Sequence, residues 1–569
     1  MVMAKNVVII GGVALGSKAA CRFKRLEPEA NVILVDQDEV VSYGGCGIPF
    51  YVSGDVSDIK ELRTTSFHMV RDEKFFKNVK GFTVMAGTRA VSVDRENKTV
   101  LIEKRDGQTE SLPYDKLVFG TGSRPRNLGI PGQELSGISP VANLHNAEKI
   151  KQQVVAGGVT SAVIVGAGFI GLEMAEALTD MWGIETSVVE FCDQIMPGFA
   201  SHGMAKMAMR HMEEKGVKFY LEEKVEAFEG DGAVNAVRTD KRTLPADLVI
   251  MAVGIQPCSE LAVAAGLATG PLGGILVNER METSDPDIYA GGDCVAATNL
   301  ITGKPGFYPL GSIANRQGRV IGTNLAGGNA TIEGAVGSYV VRLFEASMAG
   351  AGLTIDRALS EGFDAISVQM CQLDRAHFYP EKDLMFLELV VEKGTRRVLG
   401  VQGVGSSGDA MVGRINAVAG MLKYKPTVSD ISNLELAYSP PFASAMDVIN
   451  ALGNVADNFL DRIFDGIDAA TFEKYWKDVE NEGVCFIDCR AIADAKPFLE
   501  KYPARWKSIP QDELKGRIDE VPLDKKIVLV CNTGVRSFEA QLNLREMGIS
   551  NSESVQGGMA LLKKWGMEI

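Results

Sequence analysis

The sequence predicts an α/β protein with two βαβ units built on parallel sheets, an α+β domain and a further α/β domain. Two glycine-rich turns, each between a β-branched run and a helical pattern, predict the first two units. Longer alternating strands from about residue 334 predict the third part, and a self-contained strand–helix pattern at the C-terminal end predicts the fourth. The predicted divisions are 1–148 with 247–333, 149–246, 334–445, a helical connector over 446–467, and 468–569.

Composition restricts the class of protein. The chain has 569 residues, 46% of them hydrophobic and 23% charged, which is typical of several globular domains. A net charge of −14 argues against nucleic-acid binding. The longest uncharged stretches are broken by glycines, so the sequence predicts no membrane span and no targeting segment. Nine scattered cysteines favour free thiols in a reducing cytoplasm, and the C-x3-C of Cys485 and Cys489 lacks the second Cys/His pair of a zinc site, so no metal is expected.

The first βαβ unit has an imperfect glycine motif. A strand at Val7–Ile10 leads into the turn, followed by a helix over Ser17–Leu26 and a second strand at Asn31–Val35. The position of the middle glycine in G-x-G-x-x-G carries a valine, but an acid that could bind a ribose follows 20 residues after the last glycine. The candidate cofactor-binding residues of this unit are Gly11, Val13, Ala14, Gly16 and Asp36.

The second unit has the complete motif. Gly166, Gly168 and Gly171 follow a strand at Ala162–Val165 and precede a helical pattern that continues to about Trp182. The glycines allow a tight turn, close approach of a pyrophosphate and close packing of the helix. Glu190 follows the next strand, 19 residues after the last glycine, where a carboxylate binds the ribose hydroxyls of NADH and repels the extra phosphate of NADPH. These features predict a Rossmann-like domain that prefers NADH.

A third element supports a flavin in the first unit. The segment 283–293 reads TSDPDIYAGGD, in which a glycine pair ends a strand. Gly292 and Asp293 could hydrogen-bond the ribityl or phosphate region of a flavin. Two nucleotide-type units together with this element predict FAD in the first Rossmann-like domain and NADH in the second.

A cysteine surrounded by glycines is the candidate redox centre. Cys46 lies in the segment SYGGCGIPF over 42–50, where glycines allow backbone amides near the sulfur. A helix beginning after it is expected to lower the pKa of the thiol. The next cysteine in the chain is Cys192, so a neighbouring dithiol is excluded. A single redox cysteine predicts a mixed disulfide, a persulfide or a sulfenate as the intermediate.

These residues resemble those of the FAD-dependent pyridine nucleotide–disulfide oxidoreductases with one active cysteine. The segment Ser42-Tyr43-Gly44-Gly45-Cys46 is similar to the S-F-x-x-C motif of the coenzyme A-disulfide reductases, and the resemblance covers about residues 1–450. Related NADH oxidases and peroxidases carry a histidine in the first glycine turn, which this chain lacks. The resemblance implies a homodimer formed by the domain over 334–445.

The resemblance also implies a coenzyme A site and a role for two tyrosines. Three of the implied cationic residues lie at i, i+4 and i+7 of the first helix, a stripe that suits a phosphate-rich ligand or is simply a solvated face. The family's dimer partner contributes two tyrosines to the cysteine, matched here by Tyr379 and Tyr438, or these are core or interface aromatics. The implied coenzyme A contacts are Lys18, Arg22, Arg25, Ser42 and Lys74.

The C-terminal part has its own reactive loop. A strand at Val528–Val530 delivers Cys531 into the loop CNTGVR, which ends at Arg536 and precedes a helix over Ser537–Met547. Such a loop directs N–H groups inward and forms an anion cradle. It resembles the C-x-x-G-x-R loop of rhodanese domains, whereas a phosphatase loop needs one more residue. A degenerate copy without activity is the alternative.

Together these features predict an enzyme that uses NADH and FAD to reduce the sulfur bound to Cys46. The expected substrates are coenzyme A persulfide, polysulfide or coenzyme A disulfide, with the rhodanese domain relaying sulfane sulfur through Cys531 and sulfide as the product. Three alternatives stay open: a coenzyme A-disulfide reductase for thiol homeostasis, an NADH oxidase or peroxidase, and a C-terminal unit that binds a sulfur carrier without turnover.

Overall fold

The structure is a computed structural model and describes residues 5–406, 408–478 and 483–568. Its contacts divide the chain into two compact units. The first comprises Met1–Phe191 and Tyr220–Ala335, and the second comprises Cys192–Phe219 and Val336–Ile569. No helix among the described residues is long and apolar enough to cross a membrane.

The first unit contains two parallel sheets of nucleotide-binding type. In the first sheet, Asn6–Ile10 is central and pairs in parallel with Asn31–Val35 and Lys116–Phe119. Its β-branched residues are buried on both faces, as expected for such a sheet. The sheet order is Ile288–Ala290, Lys116–Phe119, Asn6–Ile10, Asn31–Val35, Thr83–Met85.

The second sheet repeats this arrangement. Ser161–Val165 is central and pairs in parallel with Glu185–Val189 and Leu248–Met251, and Ile138–Pro140 extends the sheet. The predicted strands and glycine turns are therefore present in both halves, and the predicted α/β fold class is confirmed. The helices of the first unit are Leu15–Leu26, Ile48–Ser53, Glu73–Phe75, Leu144–Val155, Phe169–Glu176, Glu260–Ala264 and Gly311–Leu325.

Smaller strands complete the first unit. Two three-stranded antiparallel sheets, one antiparallel pair of strands and one mixed three-stranded sheet accompany the parallel sheets. They comprise Thr88–Asp94, Thr99–Lys104 and Thr109–Pro113; Val225–Asp231, Ala233–Thr239 and Thr243–Pro245; Ser123–Pro125 and Ile255–Pro257; and Ile275–Leu276, Val295–Thr298 and Pro305–Gly306. The short strand Lys218–Tyr220 lies where the chain returns to the first unit.

The second unit begins with a five-stranded antiparallel sheet. Its strands, in spatial order, are Tyr339–Leu343, Ala346–Gly352, Val398–Gly405, Leu384–Glu392 and Ala365–Leu373. The two longest strands, Leu384–Glu392 and Ala365–Leu373, pair along nine residues each. The helices of this part are His202–Glu214, Ile355–Ser360, Gly408–Leu422, Val428–Ser432 and Val448–Leu460.

A five-stranded parallel sheet and its helices form the C-terminal layer of this unit. Its strand order is Gly466–Ile467, Ser552–Val555, Lys526–Val530, Val484–Asp488 and Trp506–Ser508, with parallel pairing throughout. The helices are Ala469–Lys477, Ile492–Lys501, Val535–Glu546 and Gly558–Trp565. This layer corresponds to the predicted C-terminal α/β domain. The helix after the Cys531 loop begins at Val535, two residues earlier than predicted.

The predicted connector differs from the observed structure. The helix covers only Val448–Leu460, and it packs against strands Ala365–Leu373 and Leu384–Glu392. Its buried face includes Ile449 and Leu452, so the hydrophobic spacing that suggested a connector is instead that of a helix covering the antiparallel sheet. At ~1.5 Å per residue its 13 residues are about 20 Å long, shorter than the helical connector expected over 446–467.

Side-chain contacts attach the C-terminal layer to the rest of the second unit. Glu473 accepts a hydrogen bond of 3.0 Å from Lys206, which lies outside the layer, and one of 2.8 Å from the Trp565 indole within it. The Gln556 side chain accepts one from the backbone of Gln369 over 2.6 Å. These contacts, rather than a rigid connector, fix the position of this layer.

Candidate active site

The first glycine turn has the geometry of a dinucleotide cradle. Gly11 has φ +102°, and a Cβ there would lie 2.0 Å from the Gly120 carbonyl oxygen. A Cβ on Gly16 would lie 1.9 Å from the Gly11 carbonyl oxygen. The Asp36 carboxylate accepts a hydrogen bond of 2.6 Å from the Gly12 N–H, at the end of the second strand. Gly11 and Gly16 are required by close backbone packing, and Val13 occupies the position of the middle glycine of the motif.

The second turn has the same construction. A Cβ on Gly166 would lie 2.4 Å from the Ala252 carbonyl oxygen, and one on Gly171 would lie 2.0 Å from the Gly166 carbonyl oxygen. Around Gly168, by contrast, no atom lies within 4 Å of such a Cβ, which leaves space for a pyrophosphate. Glu190 accepts a hydrogen bond of 2.7 Å from the Ala167 N–H and is buried. Both turns therefore fit a dinucleotide at a helix N-terminus.

The element at Gly292 and Asp293 packs directly onto the first turn. Gly292 has φ +74°, and its N–H donates to the Gln317 side chain over 2.7 Å. Asp293 accepts a hydrogen bond of 3.0 Å from the Ser123 hydroxyl, and burial raises the pKa of its carboxyl. A Cβ on the neighbouring Gly291 would lie 2.4 Å from the side chain of Leu15 in the first turn. The structure thus joins this element to the first cradle, as a flavin site requires.

Cys46 is exposed at the edge of this arrangement. It lies in a 3-10 turn, Gly45–Gly47, that leads into the helix Ile48–Ser53. A Cβ on Gly311 would lie 3.9 Å from the Cys46 sulfur, so the helix Gly311–Leu325 begins beside the thiol. Cys46 is thus an exposed residue beside a helix N-terminus, where a substrate can reach it.

The sequence predicts a lowered pKa for the Cys46 thiol, and this prediction is wrong: the residues around the thiol raise its pKa. Burial of the sulfur by surrounding atoms, and then the carboxylates of Glu173 and Asp293, raise the pKa of Cys46. Neither carboxylate is near the cysteine in the sequence, so the local glycine pattern could not reveal them. In this environment the thiol form is favoured until a substrate or cofactor changes the charges around it.

The cationic stripe is formed by Lys18, Arg22 and Arg25 on the helix Leu15–Leu26. Lys18 and Arg25 are exposed, while Arg22 is half-buried and donates a hydrogen bond of 3.0 Å to the Thr323 hydroxyl. The helix Gly311–Leu325 packs closely here, because a Cβ on Gly318 would lie 3.0 Å from the Lys18 Cβ. The stripe is therefore a solvent-facing surface available to an anionic ligand.

The other two implied coenzyme A contacts differ in their surroundings. Ser42 is buried with φ +54°, a left-handed conformation that is uncommon for serine, and its N–H donates to the Gly12 carbonyl over 3.0 Å. Lys74 is exposed and lines a cleft of about 760 Å³ together with Glu39 and Arg63. Ser42 therefore links the Cys46 segment to the first glycine turn, and Lys74 belongs to a separate surface cleft.

Tyr379 and Tyr438 both lie in the second unit. Tyr379 is half-buried near Arg375, and Tyr438 is 50% exposed in a segment that also exposes Phe442. Their approach to Cys46 of a partner subunit stays a prediction.

The C-terminal cysteine has a different environment. Cys531 is buried, and its sulfur accepts hydrogen bonds from the Gly534 N–H over 3.1 Å and from the Ser537 hydroxyl over 3.4 Å. Ser554 donates to the Ser537 hydroxyl oxygen over 2.9 Å and so orients it. Arg536 is half-buried at the first turn of the helix Val535–Glu546. This loop directs donors at the sulfur, as an anion cradle requires.

Several residues of these sites were missed in the sequence. Gly311, Gln317 and Glu173 are far from the motifs they approach, although small residues at a spacing of four in the helix Gly311–Leu325 indicate close helix packing. Ser537 was predicted only as the first residue of a helix.

Two dinucleotide cradles beside one exposed cysteine define a flavin-dependent oxidoreductase that uses a nicotinamide nucleotide. The family model described as pyridine nucleotide-disulphide oxidoreductase matches residues 5–318, and the model for the dimerisation domain of that family matches residues 340–448. The chain belongs to this family, and FAD and NAD(P)H are its cofactors.

Three relatives illustrate the similarity. A structure described as a NAD-dependent persulfide reductase from A. fulgidus is 40% identical, with a TM-score of 0.92, and the match covers 98% of this chain and 99% of that one. A FAD-dependent pyridine nucleotide-disulphide oxidoreductase from Desulfovibrio vulgaris is 49% identical over 80% of this chain and 100% of that one, with a TM-score of 0.65. An NAD(P)H sulfur oxidoreductase (CoA-dependent) of Pyrococcus abyssi is 36% identical over 79% of this chain and 98% of its own length.

Proposed function

We propose that this protein is an NADH-dependent flavoprotein that reduces coenzyme A persulfide, polysulfide and coenzyme A disulfide through Cys46. A C-terminal rhodanese domain would receive sulfane sulfur at Cys531. The observation that carries the proposal is the similarity to a NAD-dependent persulfide reductase over 98% of this chain, which includes both cysteines.

The residues of the first unit support the reductive step. Cys46 would attack a sulfur of the substrate and hold it as a mixed disulfide or persulfide. FAD bound at the first turn would supply electrons taken from NADH bound at the second. The balance for the persulfide is one NADH and one proton consumed, and one coenzyme A thiol, one hydrogen sulfide and one NAD⁺ formed.

The cationic stripe supports coenzyme A as the carrier of that sulfur. Lys18 and Arg25 are exposed on one helix face in a protein of net charge −14, so this positive surface is a local exception. Guanidinium groups bind phosphate in a fork geometry that suits the phosphates of coenzyme A. Arg22 is held in place by Thr323, which prepares one of these groups for binding.

The decisive assay compares coenzyme A persulfide with coenzyme A disulfide as substrates of the purified protein. We expect sulfide release to match NADH oxidation with the persulfide, and a higher kcat/KM for the persulfide than for the disulfide. Turnover of the disulfide alone would make the protein a coenzyme A-disulfide reductase. NADH oxidation by oxygen or peroxide at the same rate, without either substrate, would support the oxidase alternative.

We further propose a homodimer in which Tyr379 and Tyr438 approach Cys46 of the partner subunit. The matched dimerisation domain and the exposed Tyr438 and Phe442 support it. A phenol at this place could protonate the leaving thiolate. Light scattering at micromolar concentration should give twice the mass of the chain, and Tyr438→Phe should lower kcat more than KM. A monomer that retains full activity would contradict this arrangement.

A further inference from the structure

A second thiol lies beside Cys531 in the C-terminal sheet. The strands Val484–Asp488 and Lys526–Val530 are parallel neighbours, and their last paired residues are Asp488 and Val530. Cys489 and Cys531 are the next residues of the two strands. The Cys489 N–H donates to the Val530 carbonyl oxygen over 2.8 Å, so the two chains are still joined at this point.

Both cysteines lie on the same face of the sheet. Side chains alternate along the strands, and Ile487 and Cys489 share one apolar cluster with Leu529 and Cys531. Phe486 lies on the opposite face, where it stacks on Trp506. Neighbouring strands are ~4.8 Å apart, within the range of about 4.4–6.8 Å between Cα atoms that a disulfide spans. A disulfide between Cys489 and Cys531 is therefore compatible with the spacing of these two strands.

The two sulfurs lie in different surroundings. Burial, and then the negative charges of Cys531 and Asp488, raise the pKa of Cys489. Cys489 is thus a protonated thiol at neutral pH, while the Cys531 sulfur accepts hydrogen bonds from Gly534 and Ser537. The donors directed at its sulfur favour Cys531 as the first nucleophile, and Cys489 is the neighbouring thiol that reacts second.

We propose that Cys489 is the resolving thiol of this site, which releases sulfane sulfur from Cys531 as hydrosulfide by forming a Cys489–Cys531 disulfide. The proposal rests on the proposed function, since Cys531 must first carry the sulfane sulfur. The outer sulfur of the Cys531 persulfide takes the proton of Cys489, and the thiolate so formed attacks the Cys531 sulfur, which breaks the bond from Cys531 to the sulfane sulfur. The proton of Cys489 leaves with that sulfur as hydrosulfide. The sulfane sulfur gains two electrons, and each cysteine sulfur loses one.

A low-molecular-weight thiol then reopens the site. Two thiol molecules, coenzyme A in the proposed function, reduce the Cys489–Cys531 disulfide by two exchange steps and become a disulfide themselves. That product is a substrate proposed for Cys46. The two sites are then connected by a diffusing thiol, so they need no direct contact.

The first experiment tests the geometry without any sulfur transfer. The full-length protein is treated with oxidised glutathione, and its peptides are mapped by mass spectrometry without reduction. We expect a Cys489–Cys531 link in the native chain and in Cys485→Ser, which changes another buried cysteine of the same strand face. Absence of the link in both proteins would overturn the proposal, whatever the sulfur chemistry.

The second experiment tests the release of sulfur. Protein loaded with inorganic polysulfide and then desalted is followed without NADH, by sulfide assay and by peptide mapping of Cys531. In the native chain and in Cys485→Ser, the persulfide on Cys531 should give way to the disulfide. In Cys489→Ser and Cys489→Ala the persulfide should persist, and hydrosulfide release should slow by roughly tenfold or more.

The outcomes distinguish a failure of the resolving role of Cys489 from a failure of the proposed function. Loading of Cys531 with equal release in both Cys489 variants would overturn the resolving role and leave the proposed function intact. Failure of native Cys531 to take up sulfur would overturn both. Thermal unfolding shows whether each variant is folded, and the alanine variant serves if the buried serine destabilises the sheet.

Discussion

The two reactive cysteines of this chain occupy opposite kinds of environment. Cys46 is an exposed residue of a glycine-rich turn, and desolvation of its thiol, followed by the nearby carboxylates, raises its pKa. Cys531 is buried at the end of a parallel strand, with an N–H and a hydroxyl directed at its sulfur. The first environment suits a thiol that meets a large substrate and a flavin, whereas the second suits one that holds a small anion. On the proposed function, one chain separates reduction from sulfur acceptance by placing the two thiols in different environments.

Loss of the exposed cysteine should have the largest effect. Cys46→Ser should retain bound flavin and its reduction by NADH, but lose turnover of every disulfide and persulfide substrate by about 10³-fold or more, because the nucleophile is gone. Steady-state NADH oxidation and the flavin spectrum measure both. Cys258→Ser, a half-buried thiol of the same unit, is the control and should keep its activity. Near-native turnover by Cys46→Ser would place the redox centre elsewhere.

Arg536 tests the cradle at the buried cysteine. Arg536→Ala removes a positive charge from the loop and leaves Cys531, so uptake of sulfur from polysulfide should fall by roughly tenfold. Reduction of coenzyme A disulfide at Cys46 should be unchanged. The rates of sulfur uptake from polysulfide and of coenzyme A disulfide reduction are measured for Arg536→Ala. An equal loss of both rates would mean that the sites at Cys531 and Cys46 do not act separately.

Glu190 tests the second dinucleotide site. The native protein should prefer NADH, because this carboxylate at the strand end repels the phosphate of NADPH. In Glu190→Ala, the ratio of kcat/KM with NADH to kcat/KM with NADPH should fall by about tenfold, which corresponds to about 1.4 kcal/mol. Glu185→Ala, at the other end of the same strand, should leave the ratio unchanged. Equal use of both nucleotides by the native protein would contradict the role of Glu190.

The smallest effect concerns the attachment of the C-terminal layer. Burial favours the neutral form of Glu473, but hydrogen bonds from Lys477, Trp565 and Lys206 outweigh it and lower its pKa to about 2. A lowered pKa stabilises the fold above the ordinary value of 4.5, and this contribution is lost as pH falls toward 2. Glu473→Gln should therefore have a lower thermal midpoint than the native protein at pH 7. The difference between the two midpoints should become smaller below about pH 4.5.

The control for this prediction is Glu500→Gln, which removes an exposed pair with Lys496. It should change the thermal midpoint little at any pH, since exposed pairs contribute only about 0–1 kcal/mol. If the difference in thermal midpoint between Glu473→Gln and the native protein stays constant with pH, the lowered pKa of Glu473 does not contribute to stability.

Local patterns predicted much of this fold. The β-branched runs before Gly11 and Gly166 gave the central strands, because both faces of a parallel strand are buried. Contacts between distant parts of the chain could not be read in this way. Gly311 lies beside the Cys46 sulfur although 265 residues separate them. Likewise, only the register of two strands shows that Cys489 is the neighbour of Cys531.

The helix Val448–Leu460 illustrates the same limit. Its apolar spacing predicted a helix correctly, but the spacing does not say which surface the apolar face covers. The structure shows that it packs on the antiparallel sheet, so it does not serve as a free connector.

The most direct test of this division of labour is sulfide released per NADH oxidised by Cys531→Ser, measured with polysulfide and with coenzyme A persulfide. The account predicts native rates and one sulfide per NADH with coenzyme A persulfide, which reaches Cys46 directly. With polysulfide, which must first load Cys531, the rate should fall by about tenfold or more. Unchanged rates with both donors would contradict the account and make the C-terminal part a binding module.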